Sequence, residues 1–509
     1  MTPLILGVSF YLFAGTLAFI FPLYRFWFSV VGWMGAVGGL VRATLLFLES
    51  GPIVQSLGSW AVLGIEIKID QTTLLFGTLV VLINIFTLLD LRGRKQGFFY
   101  CLYNLLLGTC FSLAFSNDLF NLYVTIELMS LISILAIGYD RKAYQIYAGI
   151  KYLVLSSLSM SLYLIGLALL YSTHGYLGIS ELASVVPATP DSTVFLAVGL
   201  MITGLAVKSG TLLFSMWLPD AHSYCSTVVS ALLSGLAVKC GLVGIIRVSE
   251  IVPCGFLLLE LGALTGIGGA FYAVAARRPK RILAYHTMSQ VGYILIGIGI
   301  GSSLALTAAT LHILFHGLFK SLLFLSVGHT GVGNQSLYKL KKDRAIPLGS
   351  KVGLFAGSLC IMAIPPFNGY FSKGLLVEQA HRPWVWGVIM VTGLGTAFSF
   401  LKLNWKINFQ TPSIGLSRDD LPLVSFAVVV LLTSLFAFSI LGRGEFLTLL
   451  SPSHAIQRLV LTLFAGVAYW SLRSFLKSKQ VSETPFTLDN SLISIFTGFA
   501  IISSGLLLF

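Results

Sequence analysis

The sequence predicts an all-α, polytopic membrane protein with about 14–16 transmembrane helices. Of its 509 residues, 56% are hydrophobic and only 10% are charged, whereas soluble domains carry about 25% charged residues. The apolar runs reach the roughly 20 residues that a spanning helix needs, and they lack the two-residue alternation of barrel strands. The net charge of +13 lies mostly in short connections, which is typical of residues that set membrane topology. We therefore expect lipid as a partner and no nucleic acid.

Window length divides the chain into roughly sixteen spans. They cover residues 3–22, 26–48, 71–92, 96–115, 118–138, 146–171, 193–213, 225–248, 253–276, 281–300, 303–328, 350–380 (interrupted), 384–404, 421–441, 455–475 and 489–508. Lys and Arg concentrate in the connections after odd-numbered spans, which predicts that these connections are cytoplasmic and that both termini face outward. No basic residue precedes the first apolar run, so we expect an uncleaved helix instead of a signal peptide.

Two outer segments are longer than a connection requires. Residues 50–70 contain a Gly-Ser-Trp turn followed by the alternating sequence GIEIKID, which predicts a small external hairpin. Residues 174–192 predict a short interfacial helix followed by a proline-containing linker. The resulting division of the chain is 1–95 (N-terminal helices with the hairpin), 96–248, 253–405 and 421–509 (C-terminal helices).

Five charged side chains lie inside apolar spans, where a charge is costly and usually functional. They are Glu127, Lys208, Lys239, Lys320 and Lys373. Gly, Ser and Thr surround Lys208, which predicts a local break in the helix. The Ser and Thr hydroxyls would form hydrogen bonds with the backbone groups that the break frees. Burial favours the neutral form of a lysine and a nearby carboxylate favours the charged form, so a Glu127–Lys208 pair that opens and closes would be a proton switch. The alternatives are a structural ion pair for Glu127 and a snorkelling side chain for Lys208.

Two further patterns point to a proton pathway. His312, His316 and Lys320 are spaced i, i+4, i+8 and therefore line one helix face. Histidine titrates near neutral pH, which suits a proton relay. There are two alternatives: a metal-binding pair, for which the sequence shows no third ligand, and a packed polar contact between helices. Pro365 and Pro366 interrupt the twelfth span, which predicts that Lys373 faces a polar cavity, since broken helices at membrane depth line cavities.

Several polar residues remain open to two interpretations. Lys151 could pair with Glu127 or line the access path. Asp220 and His222, in the turn-forming motif WLPDAHS, could gate proton entry, or Asp220 could cap a helix. His286 is equally ambiguous, and Glu378 lies close to Lys373 in sequence but nearer the surface.

The cysteines argue against a metal or redox centre in this chain. None of them forms a Cys-x-x-Cys pair, so iron–sulfur ligation, haem attachment and structural zinc are not expected. They are Cys101, Cys110, Cys225, Cys240, Cys254 and Cys360. We predict no cofactor and no metal, and the absence of a cofactor-binding motif disfavours a quinone-reducing enzyme.

An interrupted, charged span occurs once in each of two five-helix blocks, 96–248 and 253–405. An odd number of helices per block inverts the second block relative to the first, which predicts the inverted-repeat plan of many transporters. The prediction depends on charge placement, because the sequence similarity between the blocks is faint.

Five linked motifs between about residues 50 and 405 resemble the proton-translocating antiporter-like subunits of respiratory complex I, Mrp-type sodium/proton antiporters and membrane-bound hydrogenases. The motifs are WLPDAHS, SALLSGLAVKCGLVGIIR, KRILAYHTMSQVGY, LHILFHGLFKSLLFL and IPPFNGYFSK. The resemblance implies two half-channels joined by a hydrated central axis, in a large complex with further antiporter-like subunits and with protons or sodium ions as cargo. It assigns Glu127 and Lys208 to the switch, Lys239, His312, His316 and Lys320 to the central relay, and Lys373 to the exit.

The sequence departs from the family at two places. Residues 224–227 replace the Ala-Pro pair that usually follows WLPDAHS. The chain also ends soon after its last predicted span, without the long lateral helix of the largest complex I member, which favours the hydrogenase, Mrp or shorter complex I subunits. Two other functions stay open: a self-sufficient secondary antiporter, and a membrane scaffold without transport.

Overall fold

The computed structural model describes residues 2–58, 64–187, 190–341, 343–409, 411 and 413–478. Every predicted span up to 455–475 coincides with one helix or a pair of helices, and the predicted span 489–508 lies outside the described residues. Twelve helices of the described part are long and apolar enough to cross a membrane, and two shorter apolar helices accompany them. The chain is therefore a polytopic all-α membrane protein, as predicted.

The α-helices follow one another with short connections. Their bounds are α1 (Thr2–Ile20), α2 (Arg25–Ser50), α3 (Gln71–Leu91), α4 (Gly97–Ala114), α5 (Leu119–Ile137), α6 (Ala143–His174), α7 (Ile179–Val185), α8 (Ser192–Ser209), α9 (Leu218–Tyr224), α10 (Thr227–Leu232), α11 (Val238–Ile251), α12 (Gly255–Ala275), α13 (Pro279–Ile300), α14 (Ser303–His329), α15 (Leu348–Ile361), α16 (Asn368–Glu378), α17 (Pro383–Asn404), α18 (Leu421–Leu432), α19 (Ser434–Leu449) and α20 (Pro452–Ser478).

The helices form two compact units. Within the described residues, the first unit contains residues 2–217 and 236–257, and the second contains residues 218–235 and 258–478. The boundary falls inside one apolar span, where the π-helical segment Leu233–Ala237 joins α10 to α11. The inverted repeat and the four-part division of the chain stay predictions.

Capping residues explain where several helices begin and end. The Asp70, Asp118 and Asp191 side chains each accept a hydrogen bond from the backbone N–H three residues later, at the starts of α3, α5 and α8. These bonds satisfy amide groups that a first helical turn leaves unpaired. Gly175 and Gly210 end α6 and α8 in the left-handed conformation, both with φ of 75°, which glycine adopts without steric cost.

The hairpin and the short helix predicted between spans are both present. Strand β1 (Ile53–Leu57) pairs antiparallel with β2 (Ile65–Ile69), and α7 occupies the predicted interfacial segment. A second, two-residue pairing is parallel and joins β3 (Ile346–Pro347) to β4 (Ser413–Ile414). That the hairpin is external stays a prediction.

One local expectation was wrong. The WLPDAHS motif is not a turn, because Leu218–Tyr224 form the buried helix α9. The fourteenth span, predicted over 421–441, coincides with the apolar span Arg418–Gly442, which contains α18 and the first part of α19. Gly442 inside α19 has φ of 76°, a conformation that a regular helix does not contain, so the chain bends there.

Candidate functional site

In the first unit, the side chain of Lys208 contacts Glu127. Lys208 Nζ lies 3.4 Å from Glu127 Oε2, donates to Ser130 Oγ at 2.7 Å and also donates to Ser156 Oγ. The Lys208 side chain is fully buried, whereas 24% of the Glu127 side chain is exposed. The predicted contact therefore exists, and it joins a buried ammonium to a carboxylate at the surface of the unit. Its role as a switch stays a prediction.

The sequence around Lys208 produces the predicted helix break. Lys208 lies in the last turn of α8, where the partial negative charge of the helix terminus favours a cation. The Thr211 hydroxyl donates to the Ala206 carbonyl at 3.1 Å, and the Trp217 indole donates to the Val207 carbonyl at 3.0 Å. These bonds satisfy carbonyl groups that the break frees, as polar groups at membrane depth require.

Lys239 lies in α11 of the same unit and is completely buried. Two residues later, a Cβ atom added at Gly241 would stand 2.6 Å from the Ser209 amide nitrogen. Glycine is therefore required for the close approach of α11 to the end of α8, the segment that carries Lys208. The helix packing thus places the Lys208 and Lys239 segments side by side.

In the second unit, Lys320 belongs to a chain of hydrogen-bonding groups. Lys320 Nζ donates to the Leu283 carbonyl, which also accepts from Thr287 Oγ1 at 3.1 Å. Thr287 Oγ1 in turn lies 2.8 Å from Ser234 Oγ. Ser234 precedes Lys239 by five residues on the same apolar span. Sequence reasoning missed Thr287, because a single hydroxyl in an apolar span usually bonds its own backbone.

The two predicted relay histidines stack on one face of α14. The His312 and His316 rings are 5.7 Å apart, with an interplanar angle of 12°, and both residues are completely buried. His312 Nδ1 lies 2.9 Å from Ser372 Oγ, and Ser372 directly precedes Lys373. The structure therefore brings the α14 face and the interrupted twelfth span together. Among the described residues, no group of three or more His, Cys, Asp or Glu could hold a metal ion.

Lys373 lies in α16, the second half of the interrupted span, and its side chain reaches the end of α15, the first half. Its Nζ donates to the carbonyl of Ile361 at 2.7 Å, and Ile361 is the last residue of α15, so the ammonium meets the negative end of that helix. The ammonium also lies 4.6 Å from the centre of the Tyr293 ring, a cation–π contact. Arg458 Nη2 donates to the Lys373 carbonyl at 3.4 Å. Helix α20 therefore reaches this site.

The residues with two interpretations lie in different surroundings. Asp220 is neither a cap nor exposed: it lies within α9 and forms a buried ion pair with Arg281 at 3.2 Å. The His222 ring stacks on Phe324 at 4.7 Å. His286 and Lys151 are buried, and their roles stay predictions. Glu378 is partly buried, and its Oε1 lies 3.5 Å from His454 Nε2.

Sequence reasoning missed several buried cations. Lys280 and Arg281 were assigned to a basic connection, yet only 6% and 4% of their surfaces are exposed. Lys280 Nζ donates to the Cys225 carbonyl at 2.9 Å, and Lys402 Nζ donates to the Val274 and Ala276 carbonyls at 2.7 and 2.8 Å. Both lysines thus bind backbone carbonyls. The sequence feature that could have identified these cations as buried is their position inside predicted spans or at the ends of spans.

The carboxyl group of Asp118 caps the helix that carries Glu127. It accepts a hydrogen bond from the backbone N–H of Asn121 at 2.6 Å. Burial raises the pKa of Asp118 to about 6, and repulsion from Glu66 and Glu181 contributes to this rise. The folded protein therefore retains this proton to a higher pH than the unfolded chain does. The contribution of this group to stability falls as pH rises from about 4 to about 6.

We expect Asp118→Asn to stabilise the protein, relative to wild type, more at pH 7.5 than at pH 4.5. Asparagine caps a helix as well as aspartate does and carries no charge to bury. The expected gain in the free energy of unfolding is up to about 3 kcal/mol, because each unit of pKa shift corresponds to about 1.4 kcal/mol. The measurement is the thermal unfolding midpoint of variant and wild type in detergent at both pH values. Asp191→Asn, at the exposed cap of α8, is the control, and an equal difference at both pH values would contradict the prediction.

Comparisons with known proteins agree with this architecture. The family described as "NADH:quinone oxidoreductase/Mrp antiporter, TM" matches residues 116–399, more than half of the chain. NADH-quinone oxidoreductase subunit N of Desulforudis audaxviator is 33% identical over 367 residues, which cover 67% of this chain and 72% of the relative. A Na(+)/H(+) antiporter subunit of Alkalihalophilus pseudofirmus is 31% identical over 399 residues, which cover 74% of this chain and 80% of the relative.

A solved structure shares the fold. A chain of the membrane-bound sulfane sulfur reductase, an archaeal respiratory membrane complex, aligns with a TM-score of 0.79. The alignment covers 90% of this chain and 99% of that one, at 20% sequence identity. At this identity the likeness establishes the fold alone.

Proposed function

Because the chain belongs to the NADH:quinone oxidoreductase/Mrp antiporter transmembrane family, we propose that it is the proton- or sodium/proton-translocating, antiporter-like subunit of a multi-subunit membrane complex. The contact between the buried Lys208 ammonium and the Glu127 carboxylate carries this proposal. The Lys208 ammonium is buried, and its partner Glu127 lies at the surface of the same unit. This arrangement allows the pair to respond to charges outside that unit. Relatives named as subunits of an NADH-quinone oxidoreductase and of a Na(+)/H(+) antiporter support the assignment.

The proposed cycle starts at the Glu127–Lys208 pair. When the carboxylate turns away, the ammonium is left in a low-dielectric site without its counter-charge, and its proton moves on. Ser156 and Ser130, which both bond Lys208 Nζ, hold the amine in place. Lys239 would be the next acceptor, because α11 packs closely against the end of α8.

The second unit would continue the pathway. Lys320, Thr287 and Ser234 form one hydrogen-bonded group, and the stacked His312 and His316 rings lead from Lys320 along α14 towards Lys373. Hydroxyl and imidazole groups both donate and accept, so they can pass a proton without a large movement. The Leu283 carbonyl only accepts, so the Lys320 ammonium would have to turn from this carbonyl towards Thr287 to exchange a proton with it. Lys373 would release the ion at the interrupted span.

We further infer that the chain lies in the cell's plasma (inner) membrane with both termini on the outer side, from its charge distribution. The partial exposure of Glu127 favours a subunit over a self-sufficient antiporter, because a neighbouring subunit could contact that carboxylate and control the pair. We expect further antiporter-like subunits as neighbours. The purified chain alone would exchange ions in liposomes only if the self-sufficient alternative holds.

We expect Lys239→Met to lower ion translocation by the intact complex about tenfold or more, equivalent to about 1.4 kcal/mol. Methionine retains the length and packing of the side chain but cannot carry a proton. The complex would be purified through a tag on this subunit, reconstituted in liposomes and driven by its partner enzyme's substrate or by a sodium gradient. Proton and sodium fluxes would both be recorded.

The control for this experiment is Lys339→Met, at an exposed position in the connection after α14. It should leave the fluxes and the set of co-purifying subunits unchanged. If Lys239→Met also leaves translocation unchanged while the complex assembles, the chain is a scaffold and the proposed function is wrong.

A further inference from the structure

A cavity of about 780 Å³ lies in the first unit, between the connection from α3 to α4 and the connection from α5 to α6. Its polar wall includes Arg94, Lys95 and Arg141, and its apolar wall includes Phe98 and Leu135. The volume falls in the range of small-molecule sites, about 300–1,000 Å³. None of the residues assigned to ion translocation lines it.

The chain segments around the cavity have an excess of positive charge. The two connections and the end of α3 contain five cations and two carboxylates, a difference of three. These are Arg92, Arg94, Lys95, Arg141 and Lys142, with Asp90 and Asp140. Arg94 pairs with Asp90 at 3.1 Å and Lys95 pairs with Asp140 at 2.7 Å. The Arg141 side chain is exposed and forms no hydrogen bond or ion pair within the described part of the chain.

The apolar wall continues onto the outside of the helices. Phe98, at the start of α4, is 48% exposed, and Leu135, near the end of α5, is 56% exposed. The Phe98 ring stacks with Tyr139, with ring centres 6.3 Å apart. Aromatic residues at the ends of spanning helices lie at the level of the lipid headgroups. The cavity therefore places its cations at headgroup level and its apolar residues along the membrane interior.

We propose that this cavity binds the phosphate group of an anionic phospholipid. The Arg141 guanidinium donates to the phosphate oxygens, and Arg94, which also lines the cavity, adds positive charge beside it. The acyl chain lies along Phe98 and Leu135. Basic pockets between spanning helices bind anionic headgroups in this way. A free phosphate ion would use the same cations but would gain nothing from the exposed apolar wall.

The test compares lipid retention by the tagged, purified complex. Membranes would be solubilised with equal amounts of phosphatidylglycerol and phosphatidylcholine, and the bound lipids would be counted by mass spectrometry after washing. We expect Arg141→Gln to retain about fivefold less phosphatidylglycerol, the effect of one cation near a lipid surface, and an unchanged amount of phosphatidylcholine. Lys142→Gln should act in the same direction, and Arg382→Gln, an exposed arginine before α17, should match wild type.

A second comparison separates a lipid from a free phosphate ion. Phe98→Ala should lower phosphatidylglycerol retention but leave the binding of inorganic phosphate unchanged, and excess inorganic phosphate should not displace the lipid from wild type. Equal phosphatidylglycerol retention by wild type, Arg141→Gln and Lys142→Gln would overturn the site. Displacement of the lipid by inorganic phosphate would overturn its assignment to a phospholipid.

Discussion

Replacing Lys208 with methionine is expected to reduce ion translocation by the intact complex about a hundredfold, equivalent to about 2.7 kcal/mol. The reason is that Lys208 is the buried partner of Glu127 and contacts Ser130 and Ser156. In the proposed cycle, its loss would remove both the charge that moves and the group that Glu127 controls. Initial rates of proton and sodium flux in liposomes provide the measurement. Lys339→Met serves again as the exposed control.

The companion variant is Glu127→Gln, alone and combined with Lys208→Met. If the two residues act as one switch, the double variant should translocate as slowly as Lys208→Met alone, since effects within a functional unit are not additive. Normal translocation by Lys208→Met together with a lower unfolding midpoint would contradict the switch. That result would assign the pair to the structural role that sequence reasoning left open.

The helices could be predicted from sequence because apolar run length reports membrane thickness directly. The interruption at Lys208 was also predictable, since Gly, Ser and Thr next to a charge in an apolar run have few other uses there. The segmentation failed at Leu218–Tyr224. There a polar motif forms a buried helix through tertiary contacts.

The buried cations at span ends could not be separated from topology signals by sequence. Arg281 adjoins a basic connection, where the positive-inside rule accounts for a cation without any contact. Arg458 lies near the start of a predicted span, where a long side chain can reach the membrane surface. Their contacts come from residues distant in sequence: Asp220 precedes Arg281 by 61 residues, and Lys373 precedes Arg458 by 85 residues. Only the packing of helices that are remote along the chain reveals them. For the same reason the sequence did not connect α20 with the candidate site, yet this helix contacts Lys373.

The largest expected effect on stability belongs to the Asp220–Arg281 pair. Both side chains are only 4% exposed and lie 3.2 Å apart, and removing one partner of a buried ion pair typically costs about 3–5 kcal/mol because the other charge stays buried. We therefore expect Arg281→Met to lower the unfolding midpoint sharply and to reduce the amount of assembled complex. Thermal unfolding of the purified protein in detergent measures the first effect, and the yield of co-purifying subunits measures the second.

The double variant Asp220→Asn/Arg281→Met distinguishes two roles for this pair: a structural ion pair, and the gate for proton entry that the WLPDAHS motif suggested. Replacing both charges removes the uncompensated one, so most of the lost stability should return. A structural pair then predicts ion translocation close to wild type in the double variant, because the helices α9 and α13 are again held without a buried charge. A gate predicts the opposite: restored stability with translocation still lost, because Asp220 itself would carry the proton. Recovery of both stability and flux would leave Asp220 as a residue that positions α9 against α13 and takes no part in proton transfer.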